Sequence, residues 1–317
     1  AYDERLSWLT GFTGSAGICI VGNDSAGVFV DGRYSIQAKK QTKSTFEVTQ
    51  WNKKNFLQWI EKNIVKGEIG FDPWLHSHKE IVALSEAFAD TDIGFVPSDN
   101  LIDKVWLTRP LKVSNETISY PVKLAGLTAK DKCQQISEII KFKIADAAVI
   151  TLPDSIAWLL NLRGNDVVHN PILHAFLIIN DKGKIELFCK NENISNTISG
   201  LERFVKVSTV ESFETSLTKL NGSVLLDETT VPFAAVKILQ NNGCKLIMGE
   251  DPIILPKACK NHIELKHVRM CHKRDAVHMC EFLSWLDTQN ENKFDEIDVV
   301  IELSLIHISE PTRPERI

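Results

Sequence analysis

Residues 154–171 read DSIAWLLNLRGNDVVHNP, and a fainter copy of this stretch, DERLSWLTGFTG, occupies residues 3–14. In both copies a Trp-Leu pair leads to a glycine six positions after the tryptophan, Gly14 in the first and Gly164 in the second. Each copy is followed by two short apolar runs joined by turn residues, a pattern that predicts a β-hairpin. These parallels indicate an internal repeat.

The parallel continues beyond the hairpins. Apolar strands around residues 46–48 and 204–207 each precede a helix whose apolar residues recur every three to four positions. Each helix leads to a further strand that ends in an acid, Asp72 or Asp227, and then to a second helix. The order hairpin, strand, helix, strand, helix therefore occurs twice, and we expect two tandem α/β domains of one fold. Two long units indicate a duplicated domain, because a solenoid needs at least three short ones.

Composition narrows the class of protein. The 317 residues are 44% hydrophobic and 24% charged, which is typical of a globular chain of two or three domains. A net charge of −5 lacks the basic footprint of a nucleic-acid-binding protein, and no apolar run has the length of a membrane span. We therefore expect no nucleic-acid and no membrane partner. Seven cysteines without a CxxC pair predict reduced, mostly buried thiols in a cytoplasmic protein.

Changes in pattern divide the chain. We expect a first domain at residues 1–110, a linker at 111–127 and a second domain at 128–250. Residues 251–303 predict a connector and then a long and a short helix, the first helices of a third domain that is cut short. Residues 304–317 do not continue the pattern.

Six motifs occur in order along the chain: GFTGSAG at 11–17, DGRY at 31–34, Asp72-Pro73, NLID at 100–103 followed by Trp106, WLLNLRGNDVVHNP at 158–171 and LPKACKN at 255–261. Over residues 4–303 the chain resembles the long, three-domain form of Xaa-Pro aminopeptidase (aminopeptidase P), a member of the creatinase, prolidase and methionine aminopeptidase group. The resemblance implies two tandem creatinase-N-terminal-like domains, each a mixed β-sheet flanked by helices. The opening helices of an incomplete "pita-bread" domain would follow.

The resemblance also implies an activity and its location. Such enzymes remove the N-terminal residue from peptides with proline second, usually with two Mn²⁺, and a homodimer is expected. Their metal ligands all lie in the third domain and have no counterpart in this chain. The resemblance therefore implies no catalytic residue here, no bound metal and no activity for the fragment itself. The alternative is a stand-alone module that has lost the peptidase domain and keeps only peptide or partner binding.

Two departures from the family pattern stand out. Family members carry an additional strand and helix before the position of Asp3, so we expect the first sheet to lack its opening strand. The tail at residues 304–317, SLIHISEPTRPERI, resembles a translated sequencing adapter and is interpreted as non-native.

Arg163, Asp166 and His169 are the candidate substrate-access residues, since they follow a strand in the loop with Gly164, a residue that permits close backbone approach. An arginine could clamp a carboxylate or carbonyl of a peptide, and Asp166 could hold the guanidinium in place. On the structural interpretation, an internal Arg-Asp pair only fixes the loop. The first repeat has Thr13 where the second has Arg163, so the shared fold does not require the arginine.

Other polar residues receive structural interpretations. His267 and Cys271 lie four apart, a spacing that suits zinc, but further ligands are missing and a solvated helix face explains them better. His76 and His78 are interpreted in the same way. An Asp31–Arg33 ion pair is expected at a strand end, and the tryptophans of the two Trp-Leu pairs, at positions 8 and 158, are expected to anchor the cores. A nucleotide site is disfavoured because the early glycines have the spacing GxxGxxG.

Overall fold

The computed structural model describes residues 2–111, 116–167, 169–190, 201, 203–289 and 294–309. The chain divides into two compact units, Ala1–Ser119 with Ala129–Ile254, and Tyr120–Thr128 with Leu255–Ile317. The first unit contains both repeats, and the second contains the long C-terminal helix.

The helices are α1 (Arg5–Thr10), α2 (Ser35–Gln41), α3 (Lys53–Asn63), α4 (His78–Ala87), α5 (Leu101–Val105), α6 (Val122–Ala125), α7 (Ala129–Phe142), α8 (Pro153–Leu159), α9 (Ser212–Leu217), α10 (Phe233–Asn241), α11 (Ile254–Ala258), α12 (His262–Asp287) and α13 (Glu296–Ser309). The strands are β1 (Gly17–Val21), β2 (Ala26–Val30), β3 (Glu47–Gln50), β4 (Gly67–Phe71), β5 (Ile93–Pro97), β6 (Ile118–Ser119), β7 (Ala147–Ile150), β8 (Leu162–Arg163), β9 (Phe176–Asn180), β10 (Ile185–Phe188), β11 (Val205–Ser208), β12 (Ser223–Leu226) and β13 (Lys245–Met248).

The second repeat builds one six-stranded mixed sheet in the order β11-β10-β9-β7-β12-β13. β9 runs antiparallel to both β7 and β10, whereas β11, β12 and β13 pair in parallel with their neighbours. β7 lies inside the sheet, since Ala148 is opposite Ile179 of β9 on one side and Leu225 of β12 on the other. β7 thus joins the hairpin β9-β10 to the parallel pair β12-β13 in one sheet.

Both faces of this sheet are buried. Ala148 and Ile150 belong to a cluster with buried residues of α7 and α8, whereas Val149 between them belongs to a cluster with buried residues of α9 and α10. The alternation follows from strand geometry, which points successive side chains to opposite faces. Helices therefore cover both faces of the sheet, as the resemblance implied.

The first repeat has the same element order but forms two separate sheets. β1 pairs antiparallel with β2, and β2 pairs in parallel with β3, as β9, β10 and β11 do. β4 pairs in parallel with β5, as β12 does with β13. Within the described residues no strand connects β1 to β4, the place that β7 occupies between β9 and β12. The predicted repeat of hairpin, strand, helix, strand and helix is confirmed.

The C-terminal unit is organised by α12, whose start could be read from the sequence. The Asn261 side chain accepts hydrogen bonds from the backbone N–H groups of Ile263 and Glu264, and the Glu264 carboxylate accepts one from the Asn261 N–H. Asn261 also donates through Nδ2 to the carbonyl of Ala125 at 2.8 Å. α12 is thus the long helix that the sequence predicts within residues 251–303.

The predicted linker at 111–127, which contains β6 and α6, stays a prediction, whereas two other local expectations need correction. The short helix predicted to end at residue 303 continues as α13 to Ser309. No glycine or proline interrupts that stretch before Pro311, so nothing local ends the helix earlier. Residues 310–317 of the predicted non-native tail lie outside the described residues. Trp8 is 39% exposed and stacks on Trp106, with ring centroids 5.4 Å apart, so it is not a core anchor.

The cysteines differ between the two units. Those of the first unit are buried, with the exception of half-buried Cys19, and those of the second unit are exposed. The expectation of mostly buried thiols is therefore wrong for the second unit, which contains Cys259, Cys271 and Cys280. Burial raises the pKa of the Cys189 thiol to about 12, and the nearby charge of Asp166 acts in the same direction.

Candidate functional site

The loop that follows α8 carries the three candidate residues. α8 is buried from Ser155 to Leu159, with Pro153 at its start, where the missing N–H costs nothing. The helix ends at Leu160, and Asn161 then adopts a φ of 51°, a left-handed conformation that asparagine tolerates better than most residues. This reversal directs the chain into β8.

A buried lysine fixes the start of the loop. Lys132 of α7 is only 1% exposed, and its Nζ donates to the carbonyl of Trp158 at 2.9 Å and to Oδ1 of Asn161 at 2.8 Å. The same nitrogen lies 4.1 Å from the centroid of the Trp158 ring. A cation at the C-terminal end of α8 also complements the helix dipole. Sequence reasoning missed Lys132, although its place one turn before Ile136, on the apolar side of α7, was a signal.

Arg163 is tied to its own loop. Its Nη1 donates to the carbonyl of Ala157 at 3.2 Å and to that of Leu162 at 2.7 Å. β8 also pairs with β6, with Ile118 opposite Arg163. The guanidinium therefore joins the end of α8 to β8, and part of the predicted linker forms a wall beside it.

At Gly164 the outgoing segment of the loop lies close to the returning segment. A Cβ at this position would be 2.8 Å from the carbonyl oxygen of Ile172 and 2.9 Å from the Cβ of Leu173. The glycine is required because backbone occupies the space of a side chain. The expectation that Gly164 permits close backbone approach is confirmed.

Asp166 closes the same loop through the backbone. Its N–H donates to the carbonyl of Ile172 at 3.2 Å, and its Oδ2 accepts a hydrogen bond from the N–H of His174 at 2.8 Å. Among the contacts of the described residues there is no ion pair between Asp166 and Arg163. Both sequence interpretations assumed that pair, and on this point both were wrong. Arg163 donates instead to backbone carbonyls, and the Asp166 carboxylate accepts from a backbone N–H.

His169 stands at the tip of the loop. It is exposed with a φ of 63°, and the N–H of Asn170 donates to the carbonyl of Val167 at 3.1 Å, which closes a tight turn. A surface cavity of about 450 Å³ is lined by residues that include Glu116, Arg163 and His169. Arg163 and His169 are thus brought together. Asp166 is not among the residues that line this cavity.

The histidines near residue 77 serve the contact between the two repeats. His76 Nδ1 lies 3.2 Å from the carboxylate of Glu80. The N–H of His78 donates to the carbonyl of Val231 at 3.0 Å, and its ring stacks on that of Phe233 with centroids 6.1 Å apart. Burial lowers the pKa of His78. These contacts give both histidines a structural role.

The described part of the chain offers no di-metal centre. No group of three or more His, Cys, Asp or Glu side chains within it could hold a metal ion.

The expected ion pair between Arg33 and Asp31 is confirmed at 2.9 Å, and it is exposed at the end of β2. No helix among the described residues is both long enough and apolar enough to cross a bilayer.

Comparison with known families agrees with the tandem sheets. Two family models, each described as a creatinase/prolidase N-terminal domain, match residues 1–105 and 108–264. The chain belongs to the creatinase/prolidase family. The predicted family and its two N-terminal domains are therefore confirmed, whereas the predicted domain boundaries stay predictions.

Individual members of the creatinase/prolidase family extend this result. Probable Xaa-Pro aminopeptidase P of Talaromyces stipitatus is 30% identical over 326 residues, which are 96% of this chain and 49% of the relative. Xaa-Pro aminopeptidase ApepP of Drosophila melanogaster is 30% identical over 312 residues, 94% of this chain and 50% of the relative. The crystal structure of X-prolyl aminopeptidase from Caenorhabditis elegans, described as a cytosolic enzyme with a di-nuclear active site, matches with a TM-score of 0.86 at 26% identity, over 96% of this chain and 52% of that one. The chain spans about half the length of these relatives and corresponds to the N-terminal, non-catalytic portion of the family.

Proposed function

We propose that this chain is the N-terminal portion of a metal-dependent Xaa-Pro aminopeptidase that removes the first residue from peptides with proline second. The observation that carries the proposal is the likeness to the C. elegans enzyme, which extends over 96% of this chain but only 52% of that one. In that function the two tandem domains border the catalytic domain and restrict access to it. By analogy with the cytosolic C. elegans enzyme, the whole protein acts in the cytoplasm, and we expect it to be a homodimer.

The proposal places the chemistry outside this chain. A two-metal hydrolase needs carboxylates and a histidine that hold two cations about 3.5–4 Å apart and lower the pKa of a shared water. The described residues contain no group of ligands that fits such a centre. We therefore expect the whole protein to bind two Mn²⁺ and the 317-residue chain to bind none and to be inactive.

In this function, the peptide substrate passes the cavity beside Arg163 and His169 on its way to the catalytic domain. Arg163 is held by backbone carbonyls, and His169 is exposed at the tip of a tight turn. Asp166 contributes by closing the loop and does not reach the peptide. In the whole protein, His169→Ala should raise KM for a Xaa-Pro peptide and leave kcat within about twofold. An unchanged KM would remove His169 from the route.

The central test compares this chain with the whole protein from the same gene. Both are purified and assayed on a tripeptide with proline second, with and without added Mn²⁺. The whole protein should release the first amino acid, and its turnover should be lost after chelation. The 317-residue chain should show no turnover under either condition. Turnover by the pure chain, or none by the metal-loaded whole protein, would refute the proposal.

A further inference from the structure

The chain contains two Asn-Gly steps, Asn221-Gly222 directly before β12 and Asn242-Gly243 between α10 and β13. All four residues are exposed, and the φ angles of the two glycines are nearly equal, 77° and 76°. An asparagine followed by glycine can cyclise, because glycine has no side chain that shields its backbone nitrogen. What differs between the two steps is their hydrogen bonding.

Hydrogen bonds hold both reacting groups of the second step. The N–H of Gly243 donates to the carbonyl of Gln240 at 3.0 Å. The side-chain amide of Asn242 donates through Nδ2 to the carbonyl of Leu220. Cyclisation joins the glycine nitrogen to Cγ of the asparagine, so the nitrogen has to lose its proton and the side-chain amide has to turn toward it. Both hydrogen bonds must open first, and each is worth about fivefold in an equilibrium constant.

The reacting groups of the first step are not held in this way. Among the described residues, neither the N–H of Gly222 nor the side-chain amide of Asn221 has a hydrogen-bond partner. Gly222 is held through its carbonyl, which accepts a hydrogen bond from the N–H of Lys245 at 2.9 Å. That contact leaves the nitrogen of Gly222 exposed to water, where hydroxide can remove its proton.

The same step borders the contact that joins β12 to the start of β7. Oδ2 of Asp146 accepts hydrogen bonds from the N–H of Ser223 at 2.7 Å and from its hydroxyl at 2.8 Å, and these bonds lower the pKa of Asp146. A Cβ at Gly222 would be 2.3 Å from this oxygen. The carboxylate therefore lies directly beside the backbone of Gly222, and a change of backbone length there would disturb it.

We propose that Asn221 is a site of spontaneous deamidation and that the isoaspartate formed there loosens the start of β12. The deprotonated nitrogen of Gly222 attacks Cγ of Asn221. A bond between this nitrogen and Cγ forms, the Cγ–Nδ2 bond breaks, and Nδ2 takes up a proton and leaves as ammonia. Water then opens the cyclic succinimide at either carbonyl, which gives aspartate or isoaspartate at position 221. The co-reactant is water, and no atom is oxidised or reduced.

The test incubates the full 317-residue chain at mildly alkaline pH and follows each step by peptide mapping. Trypsin cuts after lysine and places the two steps in separate peptides, residues 220–237 and 238–245. Fragmentation that distinguishes isoaspartate from aspartate identifies the product. In the native chain Asn221 should convert at least about tenfold faster than Asn242, because two hydrogen bonds protect the second step. Equal rates, or faster conversion of Asn242, would overturn the proposal.

Two controls separate the effect of the folded structure from that of the local sequence. In guanidinium chloride both steps lose their hydrogen bonds, and their rates should come within about threefold of each other. A ratio as large as in the native chain would assign the difference to local sequence and overturn the proposal. Asn221→Gln keeps an amide but requires a larger ring, so this variant should lose most of the early ammonia release, whereas Asn242→Gln should retain it. Early ammonia release that persists in Asn221→Gln would also overturn the proposal. If Asn242→Gln fails to fold, the comparison of the two steps in the parent chain still decides.

The effect on β12 follows from the extra backbone carbon of an isoaspartyl link. The link runs through the former side chain, so it displaces Gly222 from its close contact with Asp146. The hydrogen bond from the N–H of Ser223 to Asp146 should then weaken. In the isoaspartyl fraction, separated by anion exchange, hydrogen exchange at the Ser223 amide should quicken at least about fivefold. Unchanged exchange in that fraction would overturn the proposed loosening of β12.

Discussion

Replacing Gly164 by alanine should lower the free energy of unfolding of the second domain by about 2–4 kcal/mol. The new Cβ would lie 2.8 Å from the carbonyl oxygen of Ile172 and 2.9 Å from the Cβ of Leu173. Neither atom is the end of a flexible side chain, so the backbone has to move, and overpacking of this kind costs about 1–3 kcal/mol. The movement also strains the hydrogen bonds of Asp166 with Ile172 and His174, worth about 1 kcal/mol each.

Urea denaturation followed by tryptophan fluorescence measures this loss, because Trp158 lies in the same domain. Hydrogen exchange at the amide of His174 should accelerate in parallel. The matched control is Gly94→Ala in β5, where a Cβ would meet only the Cγ of Glu68 at 3.9 Å. That variant should stay within about 0.5 kcal/mol of the parent protein. If the two variants lose equal stability, the close approach of the two loop segments does not explain the effect of the substitution at Gly164.

Three further outcomes are expected. Burial lowers the pKa of His78, so the native state resists protonation of this side chain. The free energy of unfolding should therefore fall as the pH drops below about 6.5, and His78→Gln should flatten this pH dependence. If stability depends on pH equally in the two proteins, the prediction is wrong. Asn261→Ala should destabilise the start of α12 by about 1–2 kcal/mol, which hydrogen exchange would detect as faster exchange of the amides in the first turn of the helix. The control Asn241→Ala should have no comparable effect. If both variants lose similar stability, the capping box does not stabilise α12. A thiol reagent should react rapidly with the three exposed cysteines of the native chain, Cys259, Cys271 and Cys280, and slowly with the other four. A fourth rapidly reacting cysteine would contradict the burial of those four side chains.

Features of the fold that depend on local sequence were predictable. The hairpins β1-β2 and β9-β10 follow from two apolar runs around a turn, and α12 follows from an asparagine cap with glutamate three residues later. The confirmed repeat order rests on the same short-range patterns. These signals involve residues a few positions apart, so the rest of the chain has little influence on the helices, hairpins and turns that they predict.

The candidate loop was only partly predictable. Its need for Gly164 could be read from the sequence, but its partners could not. The sequence placed the loop after a strand, whereas the structure has helix α8 and then the two-residue β8 there. Arg163 and Asp166 were expected to pair, yet Arg163 donates to the carbonyls of Ala157 and Leu162, and the Asp166 carboxylate accepts from the N–H of His174. Lys132 is 26 positions from Trp158, and only the packing of α7 against α8 brings them together.

The amino-acid sequence by itself determined that the chain contains two like domains of a peptidase family and where most of their helices and strands lie, because periodicity and capping act over a few residues. Only the tertiary structure decided how the strands of the second domain pair, with β7 between β9 and β12, antiparallel to the first and parallel to the second. The physical reason is that strand pairing joins segments far apart in the chain, and a sheet edge is defined by which partner is present.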